Sequence, residues 1–373
     1  MHVGIPSEIK NREYRVGLSP ASVRELVAHG HQVSVQKDAG LAIGFTNEDY
    51  ERAGAAILAD ATEIFARADM IVKVKEPQPV ELDMLRENQI IFTYLHLAAD
   101  KEQTHGLIAS GAVAIAYETV TDAKGGLPLL APMSEVAGRL SIQAGAHALE
   151  MSQGGSGTLM GGVPGVPPAK VTIIGGGVVG TNAARMAVGM GANVTIIDRS
   201  VVRLQQLDDL FQGRIATAYA TQEKIEEELL QSDLVIGAVL IAGAAAPKLV
   251  SREMVNRMKP GSAMVDVAID QGGCFETSRP TSHESPTYLV DGVVHYCVAN
   301  MPGAVARTST LALNNATLPH VLAIANKGWE AALKDSKHLL AGLNVCRGKV
   351  TYKAVADAFG LEYTSAQEVL PRD

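Results

Sequence analysis

A chain of 373 residues is longer than one ordinary domain, so two domains are expected, and 47% hydrophobic against 19% charged residues excludes a largely disordered polymer. The formal net charge of −8 argues against nucleic acid as the main partner, because phosphate neutralisation needs a basic surface. Three cysteines (Cys274, Cys297, Cys346) without a CxxC pair point to a reducing compartment rather than a disulfide framework.

The first ten residues, MHVGIPSEIK, have no basic leader followed by a long apolar stretch, so a secretory signal is not expected. Residues 2–5 read as a strand. Ser19-Pro20 opens a helix, with Ser as N-cap and Pro at the first helical position, and His29-Gly30 closes it. Strands at 32–35, 70–74, 89–94 and 112–117 alternate with helices around 47–53 and 61–68. This rhythm predicts a mostly parallel sheet covered by helices. A long helix is expected over 134–151, with Ser134 as its N-cap, and is a candidate interdomain helix. The Gly- and Pro-rich stretch 153–169 is either a linker or an ordered loop.

A second alternating block starts at Lys170, with strands VTIIG, NVTIID, IATAYA, LVIGAVL and AMVDVAI, then a hairpin YLV-DG-VVHYCV turning at Asp291-Gly292. LVIGAVLIAGAAAP (234–247) is the longest apolar run and falls short of the ~18 residues that span a bilayer, so a non-membrane, cytoplasmic protein is expected. Beyond Pro302 the pattern is helical, with no further strand series. Those helices are therefore expected to return to the first domain. The expected architecture is α/β, with two doubly wound, mostly parallel sheets. A discontinuous substrate domain spans 1–133 and 303–373, and a dinucleotide-binding domain spans 134–302.

Gly175, Gly177 and Gly180 form GxGxxG between a buried-type strand and a helix, and the next strand ends in Asp198, 18 residues past the last glycine. Gly175 permits a tight turn, Gly177 lets backbone N–H groups approach a pyrophosphate, and Gly180 lets the helix lie close to the strand. The helix N-terminus adds partial positive charge. Asp198 can accept from ribose hydroxyls and favours NAD over NADP, although Arg199 or Arg203 could meet a phosphate, or Arg203 could stack on adenine.

In such sheets ligands sit beyond the carboxyl ends of strands. Arg15, Lys75, His96 and Asp270 occupy such places: two cations, an imidazole and a carboxylate, suited to a small carboxylate substrate with proton transfer beside it. Each also has a structural alternative. Lone cations are commonly surface groups, a lone His is commonly hydrogen-bonded structure, and Asp270 can cap the turn Gln271-Gly272-Gly273. Lys73 competes with Lys75, since period two puts both on one strand face; nearness to the strand end favours Lys75. The ten histidines are scattered, and no metal site is expected.

GIPSEIKNREYRVGLSP, KVKEP, TYLHLA, APMSEVAGRLS, GGVPGV, AIDQGGCFETSRPT and YCVANMPGAVARTST together resemble the alanine dehydrogenase/nicotinamide nucleotide transhydrogenase family over nearly the whole chain. The resemblance implies two Rossmann-like domains around a cleft, usually in a homohexamer. It also implies reversible conversion of L-alanine, NAD⁺ and water to pyruvate, NADH and ammonium. It puts substrate binding on Arg15 and Lys75 and catalysis on His96 and Asp270. It puts NAD contacts on Ser134, Gly177, Val178, Val179, Asp198, Arg203, Ala220, Val239, Leu240, Val267, Ala268, Ile269, Asp270, Arg279, Val298, Ala299, Asn300 and Met301. Position 220 is usually Ser in that family, so only the backbone could serve there. The alternatives are a dehydrogenase for another small amino or 2-oxo acid, and a non-catalytic NAD-binding module akin to the soluble part of transhydrogenase.

Overall fold

The computed structural model describes residues 1–239 and 246–370. It divides into two compact units, Met1–Pro132 with Val305–Asp373, and Met133–Ala304. Strands are numbered β1 to β15 in chain order.

The first unit holds an eight-stranded sheet of β1 (His2–Ile5), β2 (Gln32–Gln36), β3 (Ala56–Leu58), β4 (Met70–Val72), β5 (Ile90–Thr93), β6 (Val113–Ala116), β14 (Leu343–Cys346) and β15 (Lys349–Val350). Their order is β15-β14-β6-β5-β4-β1-β2-β3, with β1 to β6 parallel and β14 antiparallel to both neighbours. Strands β4, β5 and β6 are buried along their whole length, which is why they read as unbroken apolar runs. The helix Pro20–Ala28 starts as its sequence dictates: Ser19 accepts from the Ser22 N–H, and Gly30 leaves the helix at φ 82°.

The second unit holds β7 (Lys170–Ile174), β8 (Asn193–Asp198), β9 (Ala216–Tyr219), β10 (Leu234–Gly237), β11 (Ala263–Asp266), β12 (Thr287–Val290) and β13 (Val293–Tyr296). Their order is β12-β13-β11-β10-β7-β8-β9, parallel except for the β12–β13 hairpin. Asp291 (φ 50°) and Gly292 (φ 80°) make its turn, the left-handed pair that a two-residue hairpin favours. Ile174, Val235, Met264 and Phe275 lie in a core cluster of this unit.

Four expectations need correction. Strands do follow Pro302: β14 pairs with β6, and its Val345 joins the core with Ile71, Ile91 and Ala114. The long helix runs Ala131–Ala148, because Pro132 is tolerated in a first turn; Ser134 is thus inside the helix and is not its cap. Strand β4 ends at Val72, where the Glu8 carboxylate takes the Val74 N–H (2.6 Å) that a longer ladder would use. Strand β11 ends at Asp266, and Asp270 lies beyond it in a 3₁₀ turn, Ile269–Gln271. The stretch after the long helix is an ordered loop: Val163 and Val166 pair across Pro164-Gly165, and Ala169 donates to the Met160 carbonyl at 3.0 Å. Among the described residues no helix is long and apolar enough to cross a membrane.

Candidate active site

In the first sheet the strand order reverses between β1 and β4, and ligands in such sheets bind beyond the carboxyl ends at that point. Arg15 follows β1, Lys75 follows β4, His96 follows β5 and Glu118 follows β6, so all four belong to segments leaving the same edge.

Arg15 is 2% exposed and is held by Glu13: Nε donates to Oε1 and Nη2 to Oε2, both at 2.6 Å. Burial works against its charge, but this fork-to-fork pair outweighs it and the guanidinium pKa is raised. The next residues are fixed by the long helix Ala306–Lys327. Val16 N–H donates to Thr310 Oγ1 (3.3 Å), and Ser19 N–H to Asn314 Oδ1 (2.6 Å).

The two candidate lysines separate cleanly. Lys73 is fully buried, its Nζ 2.7 Å from Glu81 and 3.1 Å from Glu8. Burial opposes its charge, yet the two carboxylates raise its pKa. Glu81 is itself committed to the capping box of the helix Pro79–Leu82, so Lys73 is tied into the packing of that helix. Lys75 keeps 15% of its side chain exposed and has its Nζ 3.7 Å from Glu76.

His96 is a non-glycine residue in the left-handed region, φ 51° and ψ 38°, with its ring 48% exposed. The ring stacks on Tyr94, centroids 5.9 Å apart and planes within 6°. Tyr94 donates its hydroxyl to the Leu129 carbonyl at 2.5 Å, and burial pushes its phenol pKa up, so it stays neutral. Glu118 receives the N–H groups of Leu95 (3.2 Å) and His96 (2.6 Å). Sequence reading missed Glu13, Tyr94 and Glu118. Glu118 had a usable signal, since it sits two residues past a buried strand.

In the second sheet the reversal falls between β7 and β10. Gly175, at φ 105°, adopts a turn that L side chains rarely enter, and a Cβ on Gly180 would stand 1.9 Å from the Gly175 carbonyl oxygen. A Cβ on Gly177 would meet nothing within 4 Å. Gly177 caps the helix Val178–Gly189; the open face there is room for a ligand, with the helix's first N–H groups aimed outward. Val178 is exposed and Val179 buried. Asp198 accepts from the Gly176 N–H and the Ser200 N–H, each at 2.8 Å. Arg203 braces the loop, donating to the Gly176 carbonyl and to Thr181 Oγ1, both at 2.6 Å.

Ala220, Val239, Val267 to Asp270 and Val298 to Met301 also follow β9, β10, β11 and β13 off the same edge. Ala220 N–H donates to the Asp198 carbonyl at 3.1 Å, so its N–H is engaged and the residue has no hydroxyl to offer. Val298 and Met301 are buried, while Asn300 is left-handed at φ 59°. Asp270 is exposed and Ser134 half-buried. Arg279 is exposed, its guanidinium 4.1 Å above the Tyr288 ring. Leu240 lies outside the described residues. The group that shapes the 267–278 turn is Asp266, which sequence reading passed over. Fully buried, it accepts from Ala268, Cys274 and Phe275 N–H and from the Ser278 hydroxyl at 3.1, 2.8, 3.3 and 2.5 Å.

Residues 4–137 match the family model described as alanine dehydrogenase/PNT, N-terminal domain, and residues 141–353 match the corresponding C-terminal domain model. The chain belongs to the alanine dehydrogenase/PNT family. An alanine dehydrogenase of Halomonas elongata is 62% identical over 99% of this chain and 100% of its own length. One of Methanococcus maripaludis is 56% identical, with 99% and 100% covered. A solved L-alanine dehydrogenase superposes with TM-score 0.94 at 54% identity, covering 96% of this chain and 99% of its own. A transhydrogenase from Sinorhizobium meliloti superposes with TM-score 0.80 at 25% identity, covering 95% and 100%. An alanine dehydrogenase/PNT member with this fold implies a nicotinamide cofactor. The bare Gly177 face, the tight Gly175–Gly180 packing and the Asp198 carboxylate fit one.

Proposed function

We propose that the chain is an NAD-dependent L-alanine dehydrogenase, reversibly converting L-alanine and water to pyruvate and ammonium. The observation that carries this reading is the set Arg15, Lys75 and His96 on segments leaving one sheet edge, in a chain 62% identical over nearly its full length to an alanine dehydrogenase.

Gly175, Gly177 and Gly180 would admit the pyrophosphate, and Asp198 the adenosine ribose; a 2′-phosphate beside that carboxylate would be repelled, which favours NAD over NADP. Further contacts are proposed for Ser134, Val178, Val179, Arg203, Ala220, Val239, Leu240, Val267 to Asp270, Arg279 and Val298 to Met301. NAD supplies the two-electron oxidation at Cα. Arg15, pre-aligned by Glu13, and Lys75 hold the substrate carboxylate, which fixes Cα and turns an encounter into a positioned reaction. His96 is the acid–base group. It takes a proton from the water that adds to the imine carbon and returns one to the departing ammonia. For Asp270 the proposed role is to offset the positive charge on the imine nitrogen.

We also propose a cytoplasmic homohexamer, which light scattering of the purified protein would weigh directly. The test of function is absorbance at 340 nm with L-alanine and NAD⁺, repeated with NADP⁺. Reduction of NAD⁺ only, matched by pyruvate formation, is expected. Cofactor binding without turnover would favour the non-catalytic module. Faster reaction with 2-oxobutyrate or glyoxylate than with pyruvate would favour another small-acid dehydrogenase.

A further inference from the structure

We propose that Glu118 is a positioning residue that sets the tautomer of His96, holding Nδ1–H toward its carboxylate and leaving Nε2 as the working nitrogen. The inference rests on His96 being the acid–base group. Three observations converge on it. First, the Glu118 carboxylate, 12% exposed, takes the backbone N–H groups of both Leu95 and His96, the latter at 2.6 Å. It thereby grips the residue by its main chain. Second, His96 is left-handed, a conformation that costs a non-glycine residue on the order of 1 kcal/mol and persists only where neighbours impose it. Glu118 is a neighbour with that leverage. Third, His96 Nδ1 lies 3.9 Å from Glu118 Oε1, about 0.7 Å outside hydrogen-bond reach. Catalytic hydrogen bonds are often long before substrate arrives, and a small ring rotation closes this one.

The remaining surroundings limit what else could set the tautomer. The Tyr94 ring lies parallel to the imidazole with centroids 5.9 Å apart, an offset contact that supplies no in-plane acceptor. The Tyr94 hydroxyl directs its proton to the Leu129 carbonyl and has none to offer the imidazole. A carboxylate that accepts Nδ1–H also stabilises the imidazolium that forms when Nε2 takes a proton, so its loss should fall on kcat rather than on substrate capture.

The test compares wild type with Glu118→Gln, which keeps one carbonyl oxygen for the backbone N–H groups but removes the charge and places donors on the other atom. With ¹⁵N-labelled imidazoles, and the His96 signals assigned by their absence in His96→Ala, wild type at alkaline pH is expected to hold the Nδ1–H form. In Glu118→Gln that preference is lost. Its kcat falls about 10- to 100-fold, less than for a fully buried carboxylate–His pair because this ring is half exposed. The KM for pyruvate stays within about threefold. The same His96 spectrum in both proteins, or an unchanged kcat, overturns the assignment. Should the Gln variant not fold, Glu118→Asp, which keeps the charge but withdraws it by one methylene, is read by the same two measurements. Full turnover in His96→Ala would instead defeat the acid–base reading of His96, while the spectra would still decide the contact with Glu118.

Discussion

At the scale of single residues the structure changes how the site must be probed. Arg15 is buried and forked onto Glu13, so Arg15→Ala would leave a buried carboxylate without its partner, at about 3–5 kcal/mol of stability. Arg15→Lys is the cleaner probe. It keeps the charge but loses the planar fork, and the KM for pyruvate should rise roughly 10-fold or more with kcat less affected; steady-state kinetics in the aminating direction read this. His96→Ala should lower kcat by about 10²- to 10⁴-fold. NADH affinity, measured by fluorescence titration, should stay nearly intact; unchanged turnover would remove His96 from the mechanism. Asp198 answers to two backbone N–H groups, which fix its carboxylate beside the glycine loop. Asp198→Ala should weaken NAD⁺ and narrow the preference over NADP⁺, and equal cofactor constants in the two proteins would refute the ribose role.

At the scale of elements the glycine motif is a packing device as much as a ligand site. Gly180→Ala would drive a methyl group into the Gly175 carbonyl, where no flexible side chain can yield. A loss of about 1–3 kcal/mol in unfolding free energy is expected, together with weaker NADH binding, and denaturant titration measures the first. His295 on β13 carries a pH dependence. Burial lowers its pKa below the ordinary value of 6.5, and it bonds Thr277 Oγ1 (2.8 Å) and the Val293 carbonyl (3.0 Å). The folded protein therefore binds fewer protons there than the unfolded chain does. The stability it contributes is present above the ordinary imidazole value and is lost as pH falls from that value toward the folded one. Unfolding free energies of wild type and His295→Gln should converge on acidification; a constant gap would contradict this.

Elements with a strong local pattern are legible in the sequence alone. The Ser19-Pro20 helix start, the Asp291-Gly292 hairpin and the strand-glycine-helix unit each rest on contacts within a few residues. What could not be read depended on distant partners. Strand β14 is short and mixes Asn344 with apolar residues, and its pairing with β6 and β15 makes it a strand. Strands β4 and β11 stop early where the carboxylates of Glu8 and Asp266 take the N–H groups of Val74 and Ala268, each two residues past its strand. The burial of Lys73 likewise depends on Glu8 and Glu81, which lie 65 and 8 residues from it along the chain.

At the scale of the molecule the two units repeat one plan. Outward from β1 the first sheet runs β2-β3 on one side and β4-β5-β6 on the other; outward from β7 the second runs β8-β9 and β10-β11-β13. Each plan has one reversal point, and the residues proposed for substrate and for nucleotide, Ser134 apart, follow strands off a carboxyl edge. A parallel sheet presents the ends of all its strands on one edge, so side chains far apart in sequence are gathered there without any local motif. This explains why Arg15, Lys75, His96 and Glu118 lie on four different segments. The central claim, oxidation at the substrate Cα with NAD⁺ as acceptor, is tested most directly with L-alanine deuterated at Cα. One deuterium per turnover should appear in the reduced cofactor by mass spectrometry, with pyruvate formed in equal amount; NADH formed without the label, or label lost to water, would contradict it.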